Sequence, residues 1–437
     1  MKEVANHSLL HKPLSALAVV CIPVFMVGLG ATFYLYEYFL RVLPSVITAE
    51  LSAEFYLDAS QLGQLLASFF YAYALMQIPA GLICDQIGPR KSLTIAVVVC
   101  GLATLCFQST HNYAVAQLCR FCIGGASAFA FVSPLKLSSS WFKPERQAMV
   151  TGLVQLMGCV GAIFAGGPIA KLINYFGWRA TLYSSGLFGL FLGVSYFFLL
   201  QDTPHHHTSN KTAQSFLIIC RQTWYRFTQV ICRKQSWVIG LTAFSVWAPI
   251  ALFAESWGIP YLSLLRGISH EAAANHVMWV WIAMAISSPI SGWVSNTLNL
   301  RKAPTIVLLT IGLVASTVLI VATPTSAWVI NVLMFMLGMA SSAQPITFGL
   351  VHDQTKDVNL GTAIALNNML LIASCSMLQP LAGFLIDYYE PTVPGQLPSL
   401  ISTYQTAFSI VPVCMLMSIA LFWLSAKETY CKRSPSE

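Results

Sequence analysis

Apolar runs long enough to cross a bilayer alternate with short polar turns along almost the whole chain. A hydrocarbon core needs about 20 apolar residues per helix, and twelve segments meet that length. In the first half they are roughly 15–42, 60–83, 92–110, 113–140, 146–172 and 180–200. In the second half they are roughly 237–265, 272–295, 304–323, 326–350, 360–387 and 401–425. The first run follows Lys2 and Lys12 and has no small-residue cleavage site, so it predicts a first membrane helix and not a removable signal peptide. Between the halves, 201–236 opens with Asp202, Pro204 and His205 to His207 and then turns amphipathic. Phe216, Cys220, Trp224, Phe227 and Ile231 recur there at helical spacing, predicting a helix on the inner membrane surface.

A charged turn breaks the pattern between the second and third runs, with Gly81, Asp85, Gly88, Arg90 and Lys91. It returns between the eighth and ninth as Gly292, Asn296, Arg301 and Lys302, at one constant offset close to half the chain. Pro168 and Ala170 repeat as Pro380 and Ala382 at nearly the same offset. The expectation is therefore an all-α membrane protein of two pseudo-symmetric six-helix bundles. The predicted boundaries are a tail at 1–14, a bundle at 15–200, the connector at 201–236, a bundle at 237–425 and a tail at 426–437.

Composition supports lipid as the solvent: 56% of residues are hydrophobic and 9% charged, against about 25% charged in soluble domains. The net charge of +7 does not point to nucleic acid, because most of the 23 lysines and arginines fall in alternate loops. That distribution predicts both termini in the cytoplasm, with the inner membrane as the location. The 12 cysteines lack metal-ligand spacing, so neither a metal nor a cofactor is expected. The His205 to His207 triplet reads as a polar loop, with a metal site as the competing reading. No Gly-x-x-x-x-Gly-Lys occurs, and after His270 and Glu271 the fifth position is Ala274, which removes the ATP-driven pump and the zinc-protease helix.

An ionised side chain at mid-bilayer costs about 2.5–3.5 kcal/mol even on the lenient insertion scale, so charges inside helices are candidate chemistry. Tyr34, Glu37, Tyr38 and Arg41 share one helix face. They predict a cavity wall where Glu37 takes a proton and Arg41 holds a carboxylate, or else an interfacial pair at the outer end. Arg120 lies at a depth similar to Glu37 and is the expected partner for it. Glu255 is a second coupling or substrate contact, or a residue of the outer mouth. Lys136 is expected to snorkel to the cytoplasmic headgroups. Gln155, Asn331, Gln344, Asn367 and Asn368 are uncharged substrate candidates, as are Gln64, Tyr71, Gln77 and Gln379, with helix-to-helix hydrogen bonding the alternative for each. Asp85 is expected to meet a neighbouring helix N-terminus and the adjoining arginine and so latch one conformation, with Asn296 a weaker counterpart.

These residues resemble the major facilitator superfamily. The loop Gly81, Asp85, Gly88, Arg90 and Lys91 is similar to that family's best signature, Arg120 with Gly124 to its second motif, and Phe176 to Arg179 to a further loop. Drug–proton antiporters of the family carry Gly-Pro-x-x-Gly-Gly in the fifth helix. Here Gly166, Gly167 and Pro168 are followed by Ile169, Ala170 and Lys171, a departure that leans toward uptake. Tyr38 to Arg41, Gln61 to Gly63 and Tyr73 to Asp85 resemble the anion–cation symporter branch, yet Leu40 and Ser127 stand where that branch has acids. Tyr36 to Val42 resembles a bacterial branch related to phagosomal amino-acid carriers and the lysosomal dipeptide carrier.

The resemblance implies a monomeric secondary transporter working by alternating access, not an enzyme. Its expected partners are a small-molecule substrate, protons and the lipid bilayer. The expected activity is proton-coupled uptake of a small polar metabolite such as an amino acid or short peptide. Alternatives are an organic-anion symporter and, in another class, a transporter-like sensor or partner-binding membrane protein.

Overall fold

Every apolar run becomes helix in the computed structural model, which describes residues 16–143, 146–203, 216–355, 357–389 and 397–431. The His205 to His207 triplet, the 1–14 tail, Lys2 and Lys12 lie outside the described residues. Spans one to three are Ala16–Val46, Ala59–Ile87 and Pro89–Ser109. Span four is Tyr113–Ser127 continued by Phe129–Trp141, and span five is Gln147–Ala165 continued by Gly167–Phe176. Span six is Trp178–Leu199. After the connector helix Phe216–Ile231, span seven is built from Lys234–Pro249, a π-helical turn Ile250–Ala254 and Gly258–Arg266. Spans eight and nine are His270–Leu298 and Lys302–Val321, and span ten is Ala327–Ser341 with Gln344–Gln354. Span eleven is Asp357–Tyr388, and span twelve is Leu397–Phe408 with Ile410–Ser425. Among the described residues eleven helices are long and apolar enough to cross a membrane, or twelve if span five, bent by 40° at Gly166, is one span. The short helix Thr48–Phe55 between the first two spans carries too few residues to register as an apolar run.

Spans one to six pack on one another, chiefly three on six, one on five and two on four; spans seven to twelve do the same through eight on ten, seven on eleven and nine on twelve. The two groups meet where span two lies along span eleven and span five along span eight. With span five counted as one crossing the number is even, and the described beginning and end of the chain, with the connector, share one side, called here the terminal face. The short helix Thr48–Phe55 belongs to the opposite, far face.

The charged turn and its repeat are held alike at the terminal face. Gly88 sits at φ 85°, and a side chain there would meet the Asp202 carboxylate 2.9 Å away. Asp202, just after span six, accepts the Arg90 backbone N–H at 2.7 Å, at the start of span three. Glu428, just after span twelve, accepts the backbone N–H groups of Arg301 and Lys302 at 2.8 Å each, at the start of span nine. In both halves an acid after the last span thus caps a helix whose first N–H groups have no intrahelical acceptor. Contrary to the expectation from sequence, Asp85 therefore does not cap that helix; it pairs with Lys136 of span four instead. Lys136 also donates to Gly81 O at 3.3 Å, so its ammonium is tied to span two and does not simply snorkel to headgroups. In the repeat, Arg301 Nη1 donates to Asn296 Oδ1 at 2.8 Å and its Nε to Asp353 at 3.1 Å.

Candidate functional site at the bundle interface

Four charged side chains converge between the bundles, and all are buried. Glu37 and Arg41 lie one turn apart on span one with Arg41 Nη1 3.7 Å from Glu37 Oε1. Arg41 Nε lies 3.1 Å from Oε1 of Glu255, which belongs to span seven in the other bundle. Glu37 is 0%, Glu255 1%, and Arg41 and Arg120 2% exposed, which removes the readings of an interfacial pair and of an outer mouth.

Span seven delivers Glu255 through its π-helical turn. The Glu255 N–H donates to Ile250 O at 2.9 Å and the Trp257 N–H to Leu252 O at 2.9 Å, each five residues back. The wide turn, a feature common at functional sites, rotates the remainder of the span and aims the carboxylate at Arg41. The Cys375 thiol of span eleven donates to Glu255 Oε2 at 3.0 Å.

Arg41 is enclosed by aromatic rings, its guanidinium carbon 5.0 Å from the Tyr38 centroid, 5.1 Å from Tyr73 and 5.2 Å from Phe70. Such faces stabilise a cation without consuming its N–H donors. Arg120 shares Phe69 with it, at 4.9 Å against 5.8 Å. The expected Arg120 to Glu37 pair is not formed: Arg120 Nη1 donates to Leu40 O at 3.0 Å, while Arg41, nearer on the same helix, takes Glu37.

Several buried polar atoms here have no hydrogen-bond partner among the described residues: both Glu37 oxygens, Arg41 Nε and Nη2, Arg120 Nε, Glu255 Oε1, Gln155 Nε2, Trp281 Nε1 and Gln379 Oε1. Native interiors satisfy nearly all such atoms, so their concentration around one point marks a place suited to a polar solute.

The uncharged candidates divide. Tyr34 donates to Gln155 at 3.3 Å, and Tyr38 sets its ring edge-on to Trp281 of span eight. Asn368 donates to Gln77 across the bundles at 2.7 Å, and Asn367 to Thr347 at 3.2 Å. Gln379 donates to Ala251 O at 3.3 Å beside the π-turn. Gln344 starts the second half of span ten. Gln64 and Tyr71 are exposed on span two, outside the cluster. Asn331 joins His276 and Arg266 away from the four charges. The sequence reading missed Cys375, Trp281 and the ring enclosure; a cysteine or tryptophan in an apolar run carries no signal that separates it from core.

Besides the Asn368 to Gln77 bond, which lies on the terminal side of the centre, cross-bundle polar contacts close the far face. There Asp387, at the end of span eleven, accepts the N–H groups of Ala59 at 2.9 Å and Ser60 at 2.6 Å. Asp58 accepts that of Gln61 at 2.7 Å, so the first three N–H groups of span two are all satisfied. Asn174 of span five donates to Glu271 of span eight at 2.7 Å. Glycines permit the approach: a side chain on Gly63 would lie 2.7 Å from Gln379 O, and one on Gly383 would strike Ala59 O. A cavity of about 1000 Å³ beside this closure is lined by Asp58, Trp257, Arg266, His270 and Asp387 but by none of the four central charges.

The same arrangement of helices occurs in known transporters. The chain is similar to the Probable sulfoacetate transporter SauU of Cupriavidus necator, 24% identical over 332 residues that cover 71% of this chain and 74% of the relative. It is similar to the Probable L-galactonate transporter of Escherichia coli, 22% identical over 264 residues, 60% of this chain and about half (52%) of the relative's own length. Among solved structures, a bacterial homolog of the human lysosomal transporter Spinster, inward-facing and unoccupied, superposes with a TM-score of 0.76 at 14% identity, covering 95% of this chain and 99% of that one. A family model for the Major Facilitator Superfamily matches residues 20–380 and 258–435. With twelve helical spans in two groups closing on a charged centre, and a family model covering most of its length, the chain belongs to the Major Facilitator Superfamily.

Proposed function

We propose that this protein is a proton-coupled secondary carrier for a small organic anion, moving it into the cell by alternating access. The observation that carries the reading is the Arg41 to Glu255 pair, in which a cation of one bundle is held by a carboxylate of the other. A substrate carboxylate or sulfonate competes with Glu255 for Arg41, so occupancy loosens the central charge link between the bundles. Arg120 adds a second cation, and the relatives named above are named for sulfoacetate and L-galactonate, both anions. Glu37, with no hydrogen bond to either oxygen among the described residues, is the natural proton acceptor, since protonation relieves an ionised carboxylate in a dry site.

The lysine and arginine distribution supports a cytoplasmic terminal face in the inner membrane. On that assignment the far-face contacts make this the conformation closed to the outside. We take the working unit to be a monomer. An amino acid or short peptide is the second reading, favoured by the two carboxylates beside Arg41, which can receive an ammonium group. Uptake of labelled sulfoacetate, hexonates, amino acids and dipeptides into vesicles, with and without a proton gradient, tests both. Gradient-driven accumulation of the acids supports the first reading, of the amino acids the second, and accumulation of none rejects both.

A further inference from the structure

The buried centre holds two arginines and two carboxylates, so with all four ionised its net charge is zero. From this balance we infer that the carrier takes up one proton for each negative charge its substrate brings, which makes transport electrically silent. The inference rests on the carrier reading above and adds a stoichiometry to it. A net charge in a site 0–2% exposed lacks the water that would solvate it, and ionised groups survive burial only when compensated. A monoanion that seats on Arg41 leaves the cluster one charge negative unless one carboxylate is protonated. A dianion requires both to be. A zwitterion brings its own cation and requires neither.

Two carboxylates are available as acceptors, and they are held differently. Glu255 keeps a thiol donor from Cys375 and Nε of Arg41 beside it, whereas Glu37 has only Arg41 at 3.7 Å. Glu37 therefore takes the first proton and Glu255 the second. The other titratable groups facing Glu37 are Tyr34 and Tyr38 on its own helix, Tyr73 of span two and Cys100 of span three, and those facing Glu255 are Arg120 of span four and Cys375 of span eleven. Among these only Arg120 carries a charge in neutral solution, and it is already in the balance.

The test uses the purified full chain in liposomes, with a sugar-acid monoanion, a sulfonate–carboxylate dianion and a zwitterionic amino acid as probes. Uptake of the monoanion should proceed at one rate whatever the membrane potential, with one proton entering per molecule, and the dianion should bring two. Replacing either carboxylate, Glu37→Gln or Glu255→Gln, leaves the empty centre one charge positive and the monoanion-loaded centre neutral. Monoanion uptake by either variant should then ignore the pH gradient and slow when the interior is made negative, while exchange of labelled for unlabelled substrate continues. A current accompanying monoanion uptake by the unaltered protein, or an amino acid carried together with protons, overturns the inference. Absence of both uptake and exchange for every anion defeats the carrier reading itself, whatever the charge balance.

Discussion

Removing the Asp387 carboxylate should open the far face. In Asp387→Ala two N–H groups, those of Ala59 and Ser60, lose acceptors at 2.9 and 2.6 Å, and span two loses a negative charge at its N-terminus. A hydrogen bond to a charged group contributes about 1.5–3 kcal/mol, and a carboxylate at a helix N-terminus about 0.3–1 kcal/mol. Asp387 is only half-buried, and water reaches the freed N–H groups once the face opens, so the low end applies. The loss should be about 3 kcal/mol, a shift of about 150-fold in the ratio of closed to open molecules. Spin labels replacing Tyr56 and Tyr388, both exposed on the far face, report that ratio as a distance distribution. The unaltered protein should give one short distance, Asp387→Ala a large second population at longer distance, and Asp387→Asn, which keeps an acceptor oxygen without the charge, a smaller one. An unchanged distribution in a well-folded Asp387→Ala protein refutes the claim that this contact holds the face shut.

Arg41→Lys should raise KM for an anionic substrate by at least about tenfold, because an ammonium cannot present the planar fork that meets Glu255 and substrate together; unchanged KM in vesicle uptake removes Arg41 from the binding site. Gly383→Ala should also favour the open far face, since the added methyl group meets Ala59 O, and the same label pair reads it. Near the far face, the His111 side chain hydrogen-bonded to Glu54, with the Arg179 guanidinium 2.6 Å away, holds the Glu54 carboxyl below its ordinary range. A depressed carboxyl stabilises the fold fully above its unfolded value and loses that contribution as pH falls through the folded value. Thermal stability of Glu54→Gln should thus match that of the unaltered protein in strong acid and fall slightly below it at neutral pH; a difference that grows toward acid contradicts the pairing.

Residues 1–15 aside, the sequence placed every span, because a run of about 20 apolar residues has few other stable solutions than a helix in lipid. It also located the turns between spans approximately and carried the family in the turn at Gly81 to Lys91, but not the breaks inside spans four, five, seven, ten and twelve. Glu37 and Arg41 could be put on one face because helical period is local. What no local rule supplies is the partner. Glu255 meets Arg41 only because a π-helical turn rotates span seven and two bundles close on each other, so Arg120 was assigned to Glu37 on depth alone. Asp387 looked like the end of an apolar run until tertiary packing set it against the bare N–H groups of a helix more than three hundred residues earlier. Period and solvent determined where the helices are; contacts between elements distant in the chain decided which charges they bring together.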